Sequence, residues 1–189
     1  MTETTRRSPK AAKPRSERRP PPPLDEAALD RLALRYVERF ATTRGRLTDY
    51  LKRKMRERGW DGAPVDPRSV AERMAELGYI DDRAYAEARA GAMTRRGLGA
   101  RRIAGAFHQA GIDEADAQAV APVIAESAGS AALAFARRRR IGPWAREMPD
   151  RAGADRQIAA MLRAGHRFDL ARRIVAMLPG HEPEPADLD

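Results

Sequence analysis

Residues able to do chemistry fall into three groups in this chain, and position argues against catalysis in the first two. Asp81 and Asp82 are adjacent carboxylates, and Asp113, Glu114 and Asp116 form a second acidic cluster. Such pairs can share a proton or hold magnesium, but each stands immediately before an apolar helical run. There a carboxylate accepts the N–H groups that a first turn leaves free and meets the positive end of the helix dipole. Helix capping is therefore the expected role. Asp113-Glu114-Ala115-Asp116 also spells a helicase signature, but no phosphate-binding loop ending in Lys-Ser or Lys-Thr accompanies it and no strands frame it. Gly97-Leu98-Gly99 begins like a dinucleotide fingerprint, yet Arg102 stands in place of the third glycine and no strand precedes it. His108, His166 and His181 are too far apart to suggest a ligand pair, and the first two lie beside helix-ending glycines, where a solvent-facing ring is the default. No serine or lysine has a candidate base at motif spacing. The expectation is a protein without catalytic residue, metal or cofactor, and hence not an enzyme.

The third group is basic. Arg95, Arg96, Arg101 and Arg102 bracket the Gly97–Gly99 turn and place four guanidiniums around a helix start, which reads either as an anion site or as a solvated face. Arg137, Arg138, Arg139 and Arg140 run consecutively; at about 100° per residue they cannot share one helix face, and some can simply complement a helix C-terminus. Lys52, Arg53, Lys54, Arg56 and Arg58 surround the apolar stripe of another helix, where solvation is the simpler reading. The net charge is +9. A basic protein associates with nucleic acid or another polyanion by releasing phosphate counterions; a coding bias toward arginine is the bland alternative. Aromatic residues are few and mostly on core stripes, so contact with nucleic acid is expected to be to phosphate, with little sequence preference.

The elements that must position these residues are helices. Leu29, Leu32, Ala33, Tyr36, Val37 and Phe40 fall on one stripe at 3.6 spacing, Thr42-Thr43 interrupt it, and a second helix is expected over 44–58. Val70, Met74 and Leu77 face inward on a third, closed by Gly78. The next group places Tyr85, Ala88, Ala92 and Met93 on one face, then Ile103 and Phe107, then Ala117, Val120, Ala121 and Ile124. The last group carries Ala132, Phe135 and Ala136, then Ile158, Met161 and Leu162, then a helix over 169–178 with Leu170, Ile174 and Leu178 inward. Gly59, Gly111 and Gly165 each close the middle helix of a group and lie 52 and 54 residues apart. Nine helices in three groups of three, at a period near 50, indicate a tandem repeat in which each unit covers its neighbour's apolar face. The third ending is the weakest, because His166 stands where an apolar residue follows the other two glycines.

Composition agrees: alanine, arginine and leucine dominate the 189 residues, while β-branched and aromatic types are scarce. Cysteine is absent, which excludes disulfides and fits a reducing cytosol. No apolar stretch approaches the roughly 20 residues of a membrane span, and the basic start has no apolar core of a secretory signal behind it. Residues 1–24 are expected to be a disordered basic arm that includes the Pro20–Pro23 run, with repeats over 25–80, 81–127 and 128–179 and a disordered acidic tail over 180–189.

Leu77-Gly78-Tyr79-Ile80-Asp81-Asp82 with Tyr85-Ala86 resembles the central signature of the RecX family of recombination regulators. Arg95 to Ile103, running on to Gly111-Ile112-Asp113, is similar to it as well, as is the opening unit with Arg46-Leu47, Leu51 and Gly59-Trp60. The resemblance covers roughly 27–178, is strongest in the middle third, and departs from the pattern at His166 and around Trp144. It implies an elongated, curved array of three-helix units that binds the RecA recombinase and its filament on single-stranded DNA. It further implies a monomeric, cytoplasmic inhibitor of filament growth, strand exchange, ATP hydrolysis and co-protease activity, and so of the SOS response. The eight arginines at 95, 96, 101, 102 and 137–140 are the candidate contacts. A sequence-tolerant basic DNA-binding protein is the alternative, and a nuclease is disfavoured for want of a metal cluster.

Overall fold

The computed structural model of the protein describes residues 22–181, Pro183 and Leu188; most of the proposed arm, residues 1–21, lies outside the described residues. Among these, nine α-helices follow one another: α1 (Glu26–Arg39), α2 (Arg44–Arg58), α3 (Pro67–Glu76), α4 (Asp82–Arg95), α5 (Ala100–Ala110), α6 (Glu114–Glu126), α7 (Ala128–Arg139), α8 (Arg151–Arg163) and α9 (Phe168–Val175). A 3-10 turn spans Gly142–Trp144. The expected all-α class is what the described chain adopts. Helix starts follow local chemistry: the side chains of Asp25, Thr43, Asp66, Asp81, Asp113 and Asp150 each accept an N–H from the first turn.

Three separate cores form along the chain. Leu29, Leu47, Leu51, Val70 and Met74 centre the first, Ala86, Met93, Ile103, Phe107 and Val120 the second, and Ala132, Ala136, Met161, Leu170 and Ile174 the third. Each therefore draws on three consecutive helices, so that α1–α3, α4–α6 and α7–α9 are three units. Full burial of a leucine or isoleucine contributes roughly 1.5–3 kcal/mol, which makes these stripes the main source of each unit's stability.

Several inward assignments shift. Leu77 is 63% exposed and Leu178 68% exposed, because α3 stops at Glu76 and α9 at Val175 while the apolar period runs on past both ends. Phe40 is 49% exposed for the same reason, standing beyond the last residue of α1 in extended conformation. On α4 the buried line is Ala86, Ala90 and Met93, and Ala88 faces out; alanine occurs all round this helix, so its period cannot pick a side. The arm and tail boundaries also move. Leu24 is fully buried in the first core, the Pro22 carbonyl accepts two bonds from the Arg58 guanidinium, and Leu188 is buried in the third core.

The helix-ending glycines make the joints. Gly111, at the end of α5, lies against Gly45 in the first turn of α2; a Cβ on Gly45 would fall 2.6 Å from the Gly111 Cα. Gly165, after α8, lies against Gly99 in the same way, where a Cβ would sit 2.6 Å from the His166 nitrogen. Gly45 and Gly99 are 54 residues apart, as are Gly111 and Gly165, so both joints are one geometry repeated. The Ala110 carbonyl accepts the Thr43 hydroxyl across the first joint, and the Ala164 carbonyl accepts the Gly99 N–H at 2.9 Å across the second. Among the described residues no helical unit stands before the one that holds Gly59. There the chain's own Leu24 takes the neighbour's place, donating to the Gly59 carbonyl at 2.9 Å and accepting from Asp61 at 2.8 Å.

Candidate functional site

The acidic residues converge, though on a cation already present. The Arg44 Nε meets the Asp82 Oδ2 at 2.9 Å, and its Nη2 reaches Asp113 Oδ2 at 2.8 Å and Asp116 Oδ2 at 3.0 Å. Asp82 is buried and also accepts the Arg44 backbone N–H at 3.0 Å. It thus caps α2 across the joint rather than its own helix; Asp81 caps α4 and Asp113 caps α6, as expected. The hydrogen bond with Asp82, followed by the charges of all three carboxylates, holds the guanidinium more firmly protonated than usual despite partial burial. Asp113 is lowered, chiefly by the N–H of Asp116, whereas Asp116 is raised by burial and by the Asp113 charge beside it. The Arg44 guanidinium supplies the positive charge on which the three carboxylates converge. Arg44 joins the first unit to the second. Its partners lie 38 to 72 residues away, which no local pattern reveals.

The second joint is neutral. His166 is 2% exposed, so the solvent-facing expectation is corrected. It stands 54 residues after Ile112 and fills the corresponding buried place. Its Nε2 lies 3.1 Å from the Gly97 carbonyl and its ring packs 5.5 Å from that of Phe135. A carbonyl can only accept, so Nε2 carries the proton, and burial pushes the imidazole below its ordinary pKa. The α5 start is closed as well: the Gly99 and Arg101 N–H groups donate to the Ala164 and Gly165 carbonyls. Two of the N–H groups that an anion would use there are thus already taken.

The basic candidates separate into two sets. Arg95 ends α4 and Arg137 and Arg138 lie in the last turn of α7; these three line one cleft of about 430 Å³ together with Leu133, Trp144 and Pro183. Among the described residues no carboxylate pairs with any of the three, whereas Arg44, Arg68, Arg73, Arg83 and Arg167 all have acidic partners. Trp144 is half-buried against the third core and is held by the 3-10 turn. In the sequence Trp144 marks only a departure from the family pattern, since nothing near it in the chain signals a cleft. Arg96, Arg101, Arg102, Arg139 and Arg140 are exposed outside this cleft. The Arg139 guanidinium lies 5.9 Å over the Phe135 ring, and Arg140 ends α7 in the left-handed conformation. What the arrangement can do is hold a polyanion near the second joint, since three unpaired guanidiniums in one concavity raise the local potential.

No family model matches the chain. Two relatives do, both named regulatory protein RecX. That of Agrobacterium fabrum is 29% identical over 149 residues, 77% of this chain and 80% of the relative. That of Myxococcus xanthus is 29% identical over 162 residues, 80% of this chain and 86% of the relative. The crystal structure of RecX from Lactobacillus salivarius shares the fold with a TM-score of 0.57, at 19% identity, over 79% of this chain and 93% of that one. Similarity to two regulatory RecX proteins along about four fifths of its length, on a helical fold shared with a third, supports a RecX family protein.

Proposed function

We propose that this RecX family member acts on the RecA recombinase, binding the recombinase and its filament on single-stranded DNA. In this reading it is a monomeric cytoplasmic protein that limits filament growth and inhibits ATP hydrolysis, strand exchange and co-protease activity, thereby damping the SOS response. The observation that carries the reading is the alignment with two regulatory RecX proteins over about four fifths of the chain. The geometry supports it through Arg95, Arg137 and Arg138 in one cleft, with Arg96, Arg101, Arg102, Arg139 and Arg140 exposed. A negatively charged nucleoprotein filament is a partner that such groups attract. Among the described residues, no single helix is long and apolar enough to cross a membrane.

ATP hydrolysis by the cognate recombinase on saturating single-stranded DNA, at fixed salt, tests the proposal. Strong inhibition by substoichiometric protein is expected, and it should weaken when Arg95, Arg137 and Arg138 are changed to glutamate. Inhibition that appears only when the protein suffices to coat the DNA would overturn the reading in favour of a sequence-tolerant DNA-binding protein.

A further inference from the structure

A second aromatic and basic cleft lies in the first unit, away from the joints, and the recombinase reading makes no use of it. It has a volume of about 500 Å³ and is lined by Leu32, Arg35, Tyr36, Arg39, Phe40, Tyr50 and Arg53. Tyr36 stacks on Tyr50 at 4.3 Å between centroids and 25° between planes, and its ring also lies 5.2 Å from that of Phe40, tilted by 52°. Tyr36 and Tyr50 pack against the first core, which fixes their orientation. Phe40 does not: it is 49% exposed, at a helix end whose geometry leaves the phenyl outside the core. Cations stand over these rings, with Arg39 5.5 Å from the Phe40 centroid, and Arg53 and Lys54 at 5.6 and 5.9 Å from that of Tyr50.

Charge in this cleft is only partly balanced. Lys54 pairs with Glu57, and Arg53 reaches the same carboxylate loosely at 3.7 Å. Among the described residues Arg35 and Arg39 have no acidic partner. An exposed phenyl costs apolar surface, and crowded unpaired guanidiniums cost electrostatic energy; one ligand with a flat apolar face and repeated negative charge relieves both. Single-stranded nucleic acid has that chemistry. An unpaired base offers a π face to an aromatic ring whatever its identity, and its flanking phosphates reach arginines a few ångströms away. A duplex, whose bases stack on one another, leaves the phenyl unused, and an acidic peptide has no flat face to offer it.

We propose that the cleft formed by Arg35, Tyr36, Arg39, Phe40, Tyr50 and Arg53 binds single-stranded DNA directly, one base stacking on Phe40 and its neighbouring phosphates lying on Arg35, Arg39 and Arg53. The site is independent of the recombinase. Binding of a fluorescein-labelled twelve-residue oligothymidylate, followed by anisotropy against sodium chloride concentration, tests it on the full chain. Phe40→Ala removes a ring that is 49% exposed and stands outside the first core, and should weaken binding about 5- to 150-fold, the range that base–aromatic stacking commands, with the salt slope unchanged. Against an abasic oligomer of the same length, Phe40→Ala and the parent should bind alike. Changing Arg35, Arg39 and Arg53 together to glutamine should lower the log–log salt slope by about 2, at about 0.7 per phosphate on a single strand. Changing Arg151, Arg163 and Arg172 to glutamine removes the same net charge elsewhere and should leave the slope nearly intact. The proposal fails if Phe40→Ala binds oligothymidylate as the parent does, if it weakens the abasic oligomer equally, or if the two arginine triples lose slope equally. No recombinase is present in these measurements, so their failure leaves the ATP hydrolysis result standing.

Discussion

His166 shows how one residue sets a condition on a whole joint. It is buried, its Nε2–H donates to the Gly97 carbonyl, and burial lowers its pKa. In the unfolded chain the imidazole takes up a proton near pH 6.5, while the folded state resists until lower pH. The unfolded state therefore binds more protons between those limits. The stability that depends on neutral His166 is complete above about pH 6.5 and declines as pH falls toward the folded value. The replacement is supplied by the chain itself, because the second unit has Ile112 in the corresponding place. His166→Ile should flatten thermal stability between pH 5 and 6.5. At pH 7.5 it should change stability by no more than about 1 kcal/mol, the lost Gly97 hydrogen bond being offset by apolar burial. Thermal melts across that range decide it, and an unchanged acid slope would show that His166 is not its source.

At the scale of elements, the capping aspartates and the Ile103–Phe107 spacing were legible because both follow from neighbours within one turn. Leu77, Leu178 and Phe40 were misread for a related reason: the apolar period continues while the backbone stops, and sequence alone places helix ends poorly. Gly45, Gly99 and Gly153 recur at intervals of 54, a signal as regular as the helix-ending glycines. Read together, those two series would have announced the glycine-on-glycine joints. Gly99→Ala should destabilise by more than about 2 kcal/mol, because the added methyl falls on the backbone of Gly165. Gly105→Ala, in the middle of α5 with open space around it, should instead stabilise by about 0.5–1 kcal/mol. Urea titrations of both variants check the contrast, and a tolerated alanine at Gly99 would mean the joint can open without cost. Arg44 was invisible to pattern, since its carboxylates arrive from α4 and the start of α6. Arg44→Met should cost about 3 kcal/mol by stranding buried Asp82. In that background Asp82→Ala should cost less than it does alone, a coupling that a double-mutant cycle measures.

At the scale of the molecule, two joints of one backbone geometry carry different chemistry, and their responses to solution conditions should differ. A repeat array is stabilised by its units and by the interfaces between neighbours, so weakening one interface lets the unit beyond it open first. The first joint depends on the Arg44 charge cluster, which is partly exposed and thus sensitive to screening. The second depends on a neutral buried histidine and is sensitive to acid. The chain has two tryptophans, Trp60 in the first unit and Trp144 in the third, so Trp60→Phe and Trp144→Phe each leave one reporter. At pH 5.5 and low salt the Trp144 transition in urea should move to lower concentration while that of Trp60 holds, because the Arg44 guanidinium that organises the first joint stays protonated. In 1 M sodium chloride at pH 7.5 the order should reverse. Transitions that coincide under both conditions would mean that the joints transmit unfolding completely. The three units would then be one cooperative body, and the glycine contacts rather than the charges would set their coupling.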